Sequence, residues 1–162
     1  MGLVANAGPL IALARVGKLE LLPAAYAEIL VPQAVYREVT QDRLLPGAHD
    51  VAQAHWLRSV PVSNTRAVAR MRFWLDQGES EAIVLAQDRA MPLAIDERRG
   101  RRIAESLGVD ITGTVGILLA CKRLGLIDEI TPLLDQLIHQ GVRLSASLYE
   151  SARRLAQEPL EH

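Results

Sequence analysis

Short apolar segments alternate with amphipathic helical segments along most of this chain, and that alternation constrains its fold more than any other feature. Five segments have the length and composition of strands: Leu3–Asn6, Glu28–Val31, Leu57–Val62, Pro92–Ile95 and Val109–Thr112. Helices are predicted between and after them, at Pro9–Ala14, Pro32–Thr40, Val51–His55, Arg66–Leu75, Glu79–Arg89, Arg99–Leu107, Val115–Leu124, Ile130–His139 and Ala146–Ala156. Strands that alternate with helices favour βαβ crossovers. We therefore predict an α/β fold whose parallel sheet is covered by helices on both faces.

Residues 1–159 are expected to form one domain, because the 162-residue chain has no repeat and no linker long enough to separate two domains. The recognisable motifs lie in 3–125, and further helices occupy 126–157. The apolar stripe of Leu133, Leu134, Leu137 and Ile138 predicts that these C-terminal helices pack on the fold or form a dimer contact. Residues 160–162 resemble the remnant of an expression tag.

The composition predicts a soluble, cytoplasmic protein. No apolar run approaches the ~20 residues that a membrane-spanning helix needs. The amino end carries no basic segment typical of a secretion signal. Cys121 is the only cysteine, so no disulfide can form within the chain, and its apolar neighbours favour a buried thiol. The net charge of −1 excludes a global basic field for nucleic acid, so any such binding must be local.

Acidic and polar residues follow several of the predicted strands. In an open parallel sheet the ligand site lies beyond the carboxyl ends of the strands, so these residues are expected to converge. Carboxylates that approach one another repel and need a cation or unusual protonation. Oxygen ligands suit Mg²⁺ or Mn²⁺, which assist phosphodiester hydrolysis. The residues concerned are Asn6, Glu38, Glu79, Glu81, Asp96, Glu97 and the turn Thr112–Thr114.

Each of these residues also has a purely structural interpretation. Asn6 could cap the following helix, and Glu38 could be an ordinary solvated helix residue. Glu79 and Glu81 stand in a first helical turn, where carboxylates favour the helix dipole without any metal. Since residues two apart point to different sides of a helix, one of these two glutamates at most should face a metal. Asp96 directly follows an apolar strand, which makes a structural interpretation hardest to sustain there.

A basic run follows the acidic pair at the end of the fourth strand. It contains Arg98, Arg99, Arg101 and Arg102. Beside a metal site these arginines are candidates for RNA phosphate contacts. The alternative is a solvated helix face that pairs with Glu105.

Taken together, these motifs resemble those of PIN domains. Val4–Leu13 resembles the PIN opening, Val31–Val39 the second motif, Gly78–Ile83 the third and Leu93–Arg101 the fourth, while Thr112–Gly116 matches the polar turn that follows. The nearest likeness is to a prokaryotic PIN-like group similar to the toxins of type II toxin–antitoxin pairs.

That resemblance implies a three-layer α/β/α fold with a parallel sheet and a Mg²⁺- or Mn²⁺-dependent endoribonuclease. It also implies RNA as substrate, an antitoxin protein as partner and a homodimer. The lack of a long apolar run separately predicts no membrane association. The metal ligands it implies are Asn6, Glu38, Glu79, Asp96 and Glu97, with Thr114 as polar support. Glu38, Glu79, Glu81 and Asp96 are the implied catalytic residues, and the choice within each acidic pair stays open.

The chain departs from the PIN pattern at its first motif. Active PIN nucleases usually have aspartate where this chain has Asn6. Asparagine can still offer a carbonyl oxygen to a metal, but it removes one negative charge from the site. The alternative function is therefore a catalytically degenerate PIN fold that binds nucleic acid or protein without cutting.

Overall fold

The computed structural model describes residues 1–159, and five strands in this part of the chain form one sheet. The strands are β1 (Gly2–Ala5), β2 (Glu28–Pro32), β3 (Leu57–Val60), β4 (Leu93–Ala94) and β5 (Ile111–Thr112). The helices are α1 (Ala7–Arg15), α2 (Leu21–Ala25), α3 (Gln33–Thr40), α4 (Ala48–Gln53), α5 (Thr65–Met71), α6 (Gln77–Arg89), α7 (Arg98–Ser106), α8 (Thr114–Arg123), α9 (Thr131–His139) and α10 (Ala146–Leu155). The predicted tag remnant at 160–162 lies outside the described residues.

Every strand pair in the sheet is parallel, and the strand order is β3-β2-β1-β4-β5. The chain moves outward from β1 to β3, returns to the other side of β1 at β4, and continues outward to β5. Because crossovers between parallel strands are right-handed, this reversal puts the helices of the two halves on opposite faces of the sheet. The strand order reverses between β1 and β4, which is where open α/β sheets bind ligands.

The central strands contribute alternate side chains to two apolar cores, one on each face of the sheet. Leu3, Ile29 and Val31 pack on the first face with helices α1, α3, α8 and α9. Val4 and Leu30 point to the second face and pack with α6 and α7. Strands that are buried on both sides have continuous apolar sequences, as β1 and β2 do. The prediction of a three-layer α/β/α fold around a five-stranded parallel sheet is therefore confirmed.

The C-terminal helices belong to the first core rather than to a separate layer. Leu133, Leu134 and Leu137 of α9 are buried there, whereas Ile138 is exposed. Cys121 of α8 is a buried free thiol in the same core, as its apolar neighbours predicted. Burial raises the pKa of this thiol, which suits a small apolar side chain rather than a nucleophile.

Glu158 lies three residues beyond α10 and links these helices through hydrogen bonds. Its carboxylate accepts hydrogen bonds from Lys122 Nζ at 2.7 Å, from the backbone N–H groups of Ile130 and Thr131 at 3.0 Å each, and from Thr131 Oγ1 at 2.7 Å. Desolvation raises the pKa of Glu158, but these hydrogen bonds outweigh it and lower the pKa from 4.5 to about 2. The carboxylate therefore links α8 and the start of α9 to the segment that follows α10.

Several element boundaries differ from the sequence predictions. Helix α5 ends at Met71 rather than Leu75, because Leu75 packs in the second core while Asp76 caps the next helix, and the chain turns between them. Helix α2 was not predicted, and β3, β4 and β5 are shorter than expected. Among residues 1–159, no helix is long and apolar enough to span a bilayer.

Candidate functional site

An acidic cleft of about 230 Å³ lies beyond the carboxyl ends of β1 and β4, at the point where the strand order reverses. Its lining side chains come from several separate segments of the chain. They are Asn6, Ala7, Gly8, Ile11, Glu38, Asp76, Glu79, Asp96 and Glu97. All five polar residues that the PIN resemblance assigned to a metal pocket line this one cleft, and a fifth carboxylate joins them.

Asn6 directly follows β1 and is 5% exposed. It stands at the N-cap position of α1, yet within residues 1–159 its side chain makes no hydrogen bond that caps this helix. The capping interpretation is therefore wrong. What remains is a nearly buried amide at the cleft wall, and an amide carries a neutral oxygen of the kind that cations accept as a ligand.

Asp96 follows β4 and is held in place by the turn after β5. The backbone N–H of Thr114 donates to Asp96 Oδ1 at 2.8 Å, and Thr114 Oγ1 donates to Asp96 Oδ2 at 2.7 Å. Thr114 is 2% exposed and begins helix α8. Two bonds from one residue fix the orientation of the carboxylate, so Thr114 positions Asp96. The PIN resemblance implied Thr114 as a polar support beside the metal ligands.

Glu38 and Glu79 meet in the cleft with a third carboxylate, Asp76. Partial burial raises the pKa of Glu38, and the charge of Asp76 adds to the effect. Partial burial also raises the pKa of Glu79, with repulsion from Asp76, Glu97 and Glu38 in addition. Mutual repulsion of this kind is what a divalent cation relieves.

Two glycines let the carboxylates approach the backbone. A Cβ atom on Gly78 would lie 3.0 Å from Glu38 Oε2 and 3.7 Å from Asp76 Oδ1. A Cβ atom on Gly113 would lie 2.7 Å from Asp96 Oδ1. The absence of a side chain at both positions therefore leaves room for the acidic groups to gather.

Glu81, the other candidate of the third motif, does not line the cleft. Its carboxylate accepts hydrogen bonds from the backbone N–H of Ala34, at 3.3 Å, and from the side-chain amide of Gln77. It thus caps the amino end of α3 from outside. Glu79 and Glu81 point to different sides of α6, as their spacing required, and Glu79 is the one that faces the other carboxylates.

The alternative role suggested for the arginines of α7 was a solvated helix face that pairs with Glu105. In residues 1–159, Glu105 forms no salt bridge with them. Arg101 donates to the backbone carbonyl of Ile95 at 2.7 Å, and Arg99 donates to that of Trp74 at 3.4 Å. Arg98 and Arg102 are exposed.

Two basic hollows adjoin the acidic cleft on different sides. One, of about 450 Å³, shares Glu38 and Asp76 with the cleft and is also lined by Arg37 and Arg72. The other, of about 500 Å³, shares Asp96 and is lined by Arg101, Arg143 and apolar side chains of α8 and α10. Each basic hollow therefore brings two arginines next to the carboxylates of the cleft, although the whole chain is nearly neutral.

The cleft offers only oxygen donors to a cation. Within the described 159 residues, no three acidic, histidine or cysteine side chains already converge closely enough to enclose a metal ion. A small hard cation that keeps several waters and takes few protein ligands fits such a donor set. The anionic oxygens of the cleft belong to Glu38, Asp76, Glu79, Asp96 and Glu97, and the neutral amide belongs to Asn6.

A family profile described as a PIN domain matches residues 2–158. The chain belongs to the PIN-domain family. No significant match was found among curated proteins or among solved structures. The resemblance drawn from the sequence motifs is confirmed, and with it a nuclease-type fold, since PIN domains are generally nucleases that use divalent metals.

Asp76 is the PIN-cleft residue that the sequence analysis missed. It caps α6, and its Oδ1 accepts from the backbone N–H of Glu79 at 2.8 Å. The signal was present as Asp-x-x-Glu, the spacing of a helix cap followed by an acidic first turn. The helix was predicted to begin at Glu79, and that register left Asp76 in the loop.

Proposed function

We propose that this PIN domain is a Mg²⁺- or Mn²⁺-dependent endoribonuclease. The observation that carries the proposal is the gathering of Glu38, Asp76, Glu79, Asp96 and Glu97 in one cleft at the switch point of the sheet. Carboxylates that line one cleft repel one another, and a bound cation would offset that repulsion.

The proposed cation is held by Asp96 and Glu79, with Glu38 and Asn6 as further oxygen donors. When bound, it acidifies water and neutralises charge on the phosphodiester. Few carboxylates and several waters are the ligands that Mg²⁺ prefers. Burial first, and neighbouring carboxylates second, raise the pKa values of Glu38 and Glu79. A bound cation would offset both effects, because it stabilises the charged form of each carboxylate.

Asp96 and Glu79 have different roles in the proposed hydrolysis. Asp96 is oriented by Thr114 and provides a fixed anionic ligand. Glu79 lines the same cleft, where a carboxylate beside the cation would orient the attacking water and accept its proton. The leaving oxygen then takes a proton from solvent.

RNA as substrate is supported by the two basic hollows beside the cleft. Arg37 and Arg72 lie on one side, and Arg101 and Arg143 lie on the other. A polyanion that crosses the carboxyl edge of the sheet would meet arginines before and after the carboxylates. Arginine forms bidentate contacts with phosphate, which suits it for holding the flanking nucleotides.

The test is cleavage of single-stranded RNA by the purified protein with Mn²⁺ or Mg²⁺, against EDTA. We expect cleavage that requires the metal and is lost in Asp96→Asn and Glu79→Gln. Glu81→Gln is the matched control, because it makes the same change two residues away, outside the cleft, and keeps an oxygen to cap α3. Metal-independent cleavage, or equal activity of wild type and Asp96→Asn, would refute the proposal.

A second candidate is a PIN fold that binds RNA without cutting it, and Asn6 is the observation that favours it. A neutral amide stands where active relatives usually carry an aspartate, so the cleft holds one negative charge fewer. Calorimetric titration with Mn²⁺ separates the two candidates. Under the degenerate alternative, wild type shows no binding that depends on Asp96, and Asn6→Asp creates it.

Three further expectations stay predictions: that the protein is the toxin of a toxin–antitoxin pair, that it binds an antitoxin, and that it forms a homodimer. Each can be examined directly, by expressing the chain in a host cell and by light scattering of the purified protein.

A further inference from the structure

Two large aromatic side chains project into solvent from the turn that joins α5 to α6. Phe73 is 83% exposed and Trp74 is 61% exposed, with ring centroids 6.0 Å apart and ring planes inclined by 56°. The chain has one phenylalanine and two tryptophans in all. Leu75, the next residue in the same turn, is buried in the second core. The fold therefore buries the smaller apolar group and leaves the two larger ones in water.

Arginines are frequent in the segment that carries this aromatic pair. Residues 65–75 contain Arg66, Arg70 and Arg72 and no acidic side chain. The guanidinium of Arg99 donates to the backbone carbonyl of Trp74 at 3.4 Å, which brings the basic amino end of α7 to the same turn. An exposed aromatic pair on an arginine-rich segment is complementary to a partner that has both flat apolar surfaces and negative charge.

The residues on either side of the aromatic pair in the chain line the acidic cleft and the hollow next to it. Asp76, two residues after Trp74, lines the cleft. Arg72, the residue before Phe73, lines the basic hollow that shares Glu38 and Asp76 with it. A strand whose phosphate lies in the cleft and whose next phosphates follow Arg72 would pass beside both rings.

We propose that Phe73 and Trp74 form a stacking platform for unpaired bases of the RNA strand that flanks the phosphate held in the cleft. Unpaired bases stack on aromatic side chains while arginines hold the backbone. Bases in a duplex are already stacked on one another, so the platform selects single-stranded RNA. This inference rests on RNA as the proposed substrate, but the binding it predicts does not require cleavage.

The test is fluorescence anisotropy with a labelled single-stranded RNA of about 12 nucleotides, measured in EDTA so that no cleavage occurs. Trp74→Ala and Phe73→Ala are expected to weaken binding by about 5- to 150-fold, the usual effect of losing one stacked base. Trp74→Phe should retain most of the affinity, because a phenyl ring still offers a stacking face. A duplex of the same sequence should bind more weakly than the single strand.

Trp56→Phe is the matched control. Trp56 immediately precedes β3, at the amino edge of the sheet, and its indole N–H donates to Glu20 at 3.2 Å. This variant should bind RNA as wild type does. It also leaves Trp74 as the only tryptophan, so quenching of its fluorescence by RNA reports stacking directly.

The outcomes separate the platform from the nuclease proposal. RNA binding that depends on Trp74, with no metal-dependent cleavage, supports the platform and refutes the nuclease. Metal-dependent cleavage with unchanged affinity in Trp74→Ala and Phe73→Ala refutes the platform alone. A shift of these two variants from dimer to monomer, with unchanged RNA affinity, would assign the patch to self-association and also refute the platform.

Discussion

Replacing Glu158 by glutamine should destabilise the protein by an amount that its hydrogen bonds allow us to work out. The carboxylate accepts four hydrogen bonds from Lys122, Ile130 and Thr131, and its side chain is 12% exposed. Its pKa falls from 4.5 to about 2 on folding. At roughly 1.36 kcal/mol for each pKa unit, a full conversion would give about 3.4 kcal/mol. Solvent screening near the end of the chain reduces this, so we expect a loss of about 2 kcal/mol for Glu158→Gln.

The dependence on pH follows from the sign of the shift. Because the pKa is lower in the folded protein, the charged carboxylate stabilises the fold above pH 4.5, the ordinary value. This contribution should disappear as the pH falls from 4.5 through about 2, where the carboxylate becomes protonated in both states. Wild type and Glu158→Gln should therefore differ most near neutral pH and converge in acid.

Urea unfolding, followed by circular dichroism at a series of pH values, measures both effects. Glu150→Gln is the matched control, since Glu150 is an exposed glutamate on α10 and should change stability little. Equal stability of wild type and Glu158→Gln at pH 7 would contradict the argument. So would a difference that persists unchanged at pH 2. Destabilising the C-terminal helices should also affect the candidate functional site, because Arg143, between α9 and α10, lines the basic hollow next to Asp96.

Three further predictions concern the cleft. Burial and repulsion raise the pKa of Glu79. The folded protein therefore favours the protonated carboxyl, which adds to stability below pH 4.5. This stabilisation is lost as the pH rises through the raised pKa and Glu79 becomes charged. Glu79→Gln should therefore raise the melting temperature of metal-free protein at pH 7 by about 1–2 °C, for a screened repulsion of roughly 0.5 kcal/mol, and a lower melting temperature would contradict this. Thr114→Val removes the hydroxyl that orients Asp96 and should weaken Mn²⁺ binding by roughly 10- to 100-fold in calorimetry, whereas Thr114→Ser should bind nearly as wild type. Gly113→Ala places a Cβ atom 2.7 Å from Asp96 Oδ1 and should reduce metal-dependent cleavage while the urea midpoint changes little; wild-type activity in this variant would show that Asp96 is free to move.

Much of the fold could be predicted because its determinants are local. Residues 3–5 and 29–31 are continuous apolar runs, and only a strand covered by helices on both faces buries every side chain of such a run. Asn6 directly follows β1, and Asp96 lies two residues beyond β4, so a parallel sheet was enough to bring them to the same edge. The turn Thr112–Thr114 could be placed beside them for the same reason.

Other features of the site depended on helix register, which the sequence left ambiguous. Helix α6 begins at Gln77 rather than Glu79, and that start makes Asp76 a cap and brings its carboxylate into the cleft. The choice between Glu79 and Glu81 was likewise decided by which side of α6 packs on the sheet. Periodicity shows that two residues of a helix face different ways, but it does not say which of them faces a given neighbour.

The aromatic pair and the Glu158 contacts were decided by tertiary structure alone. Phe73 and Trp74 fall within a segment that the sequence favours as helix, and only the burial of Leu75 next to the cap at Asp76 turns the chain and exposes both rings. Glu158 meets Lys122 from 36 positions away in the chain. The sequence by itself determined which segments are strands and which residues end them, because burial and chain direction act over a few residues. The side chains that meet beyond those ends were set by the packing of whole helices, a property that no local pattern encodes.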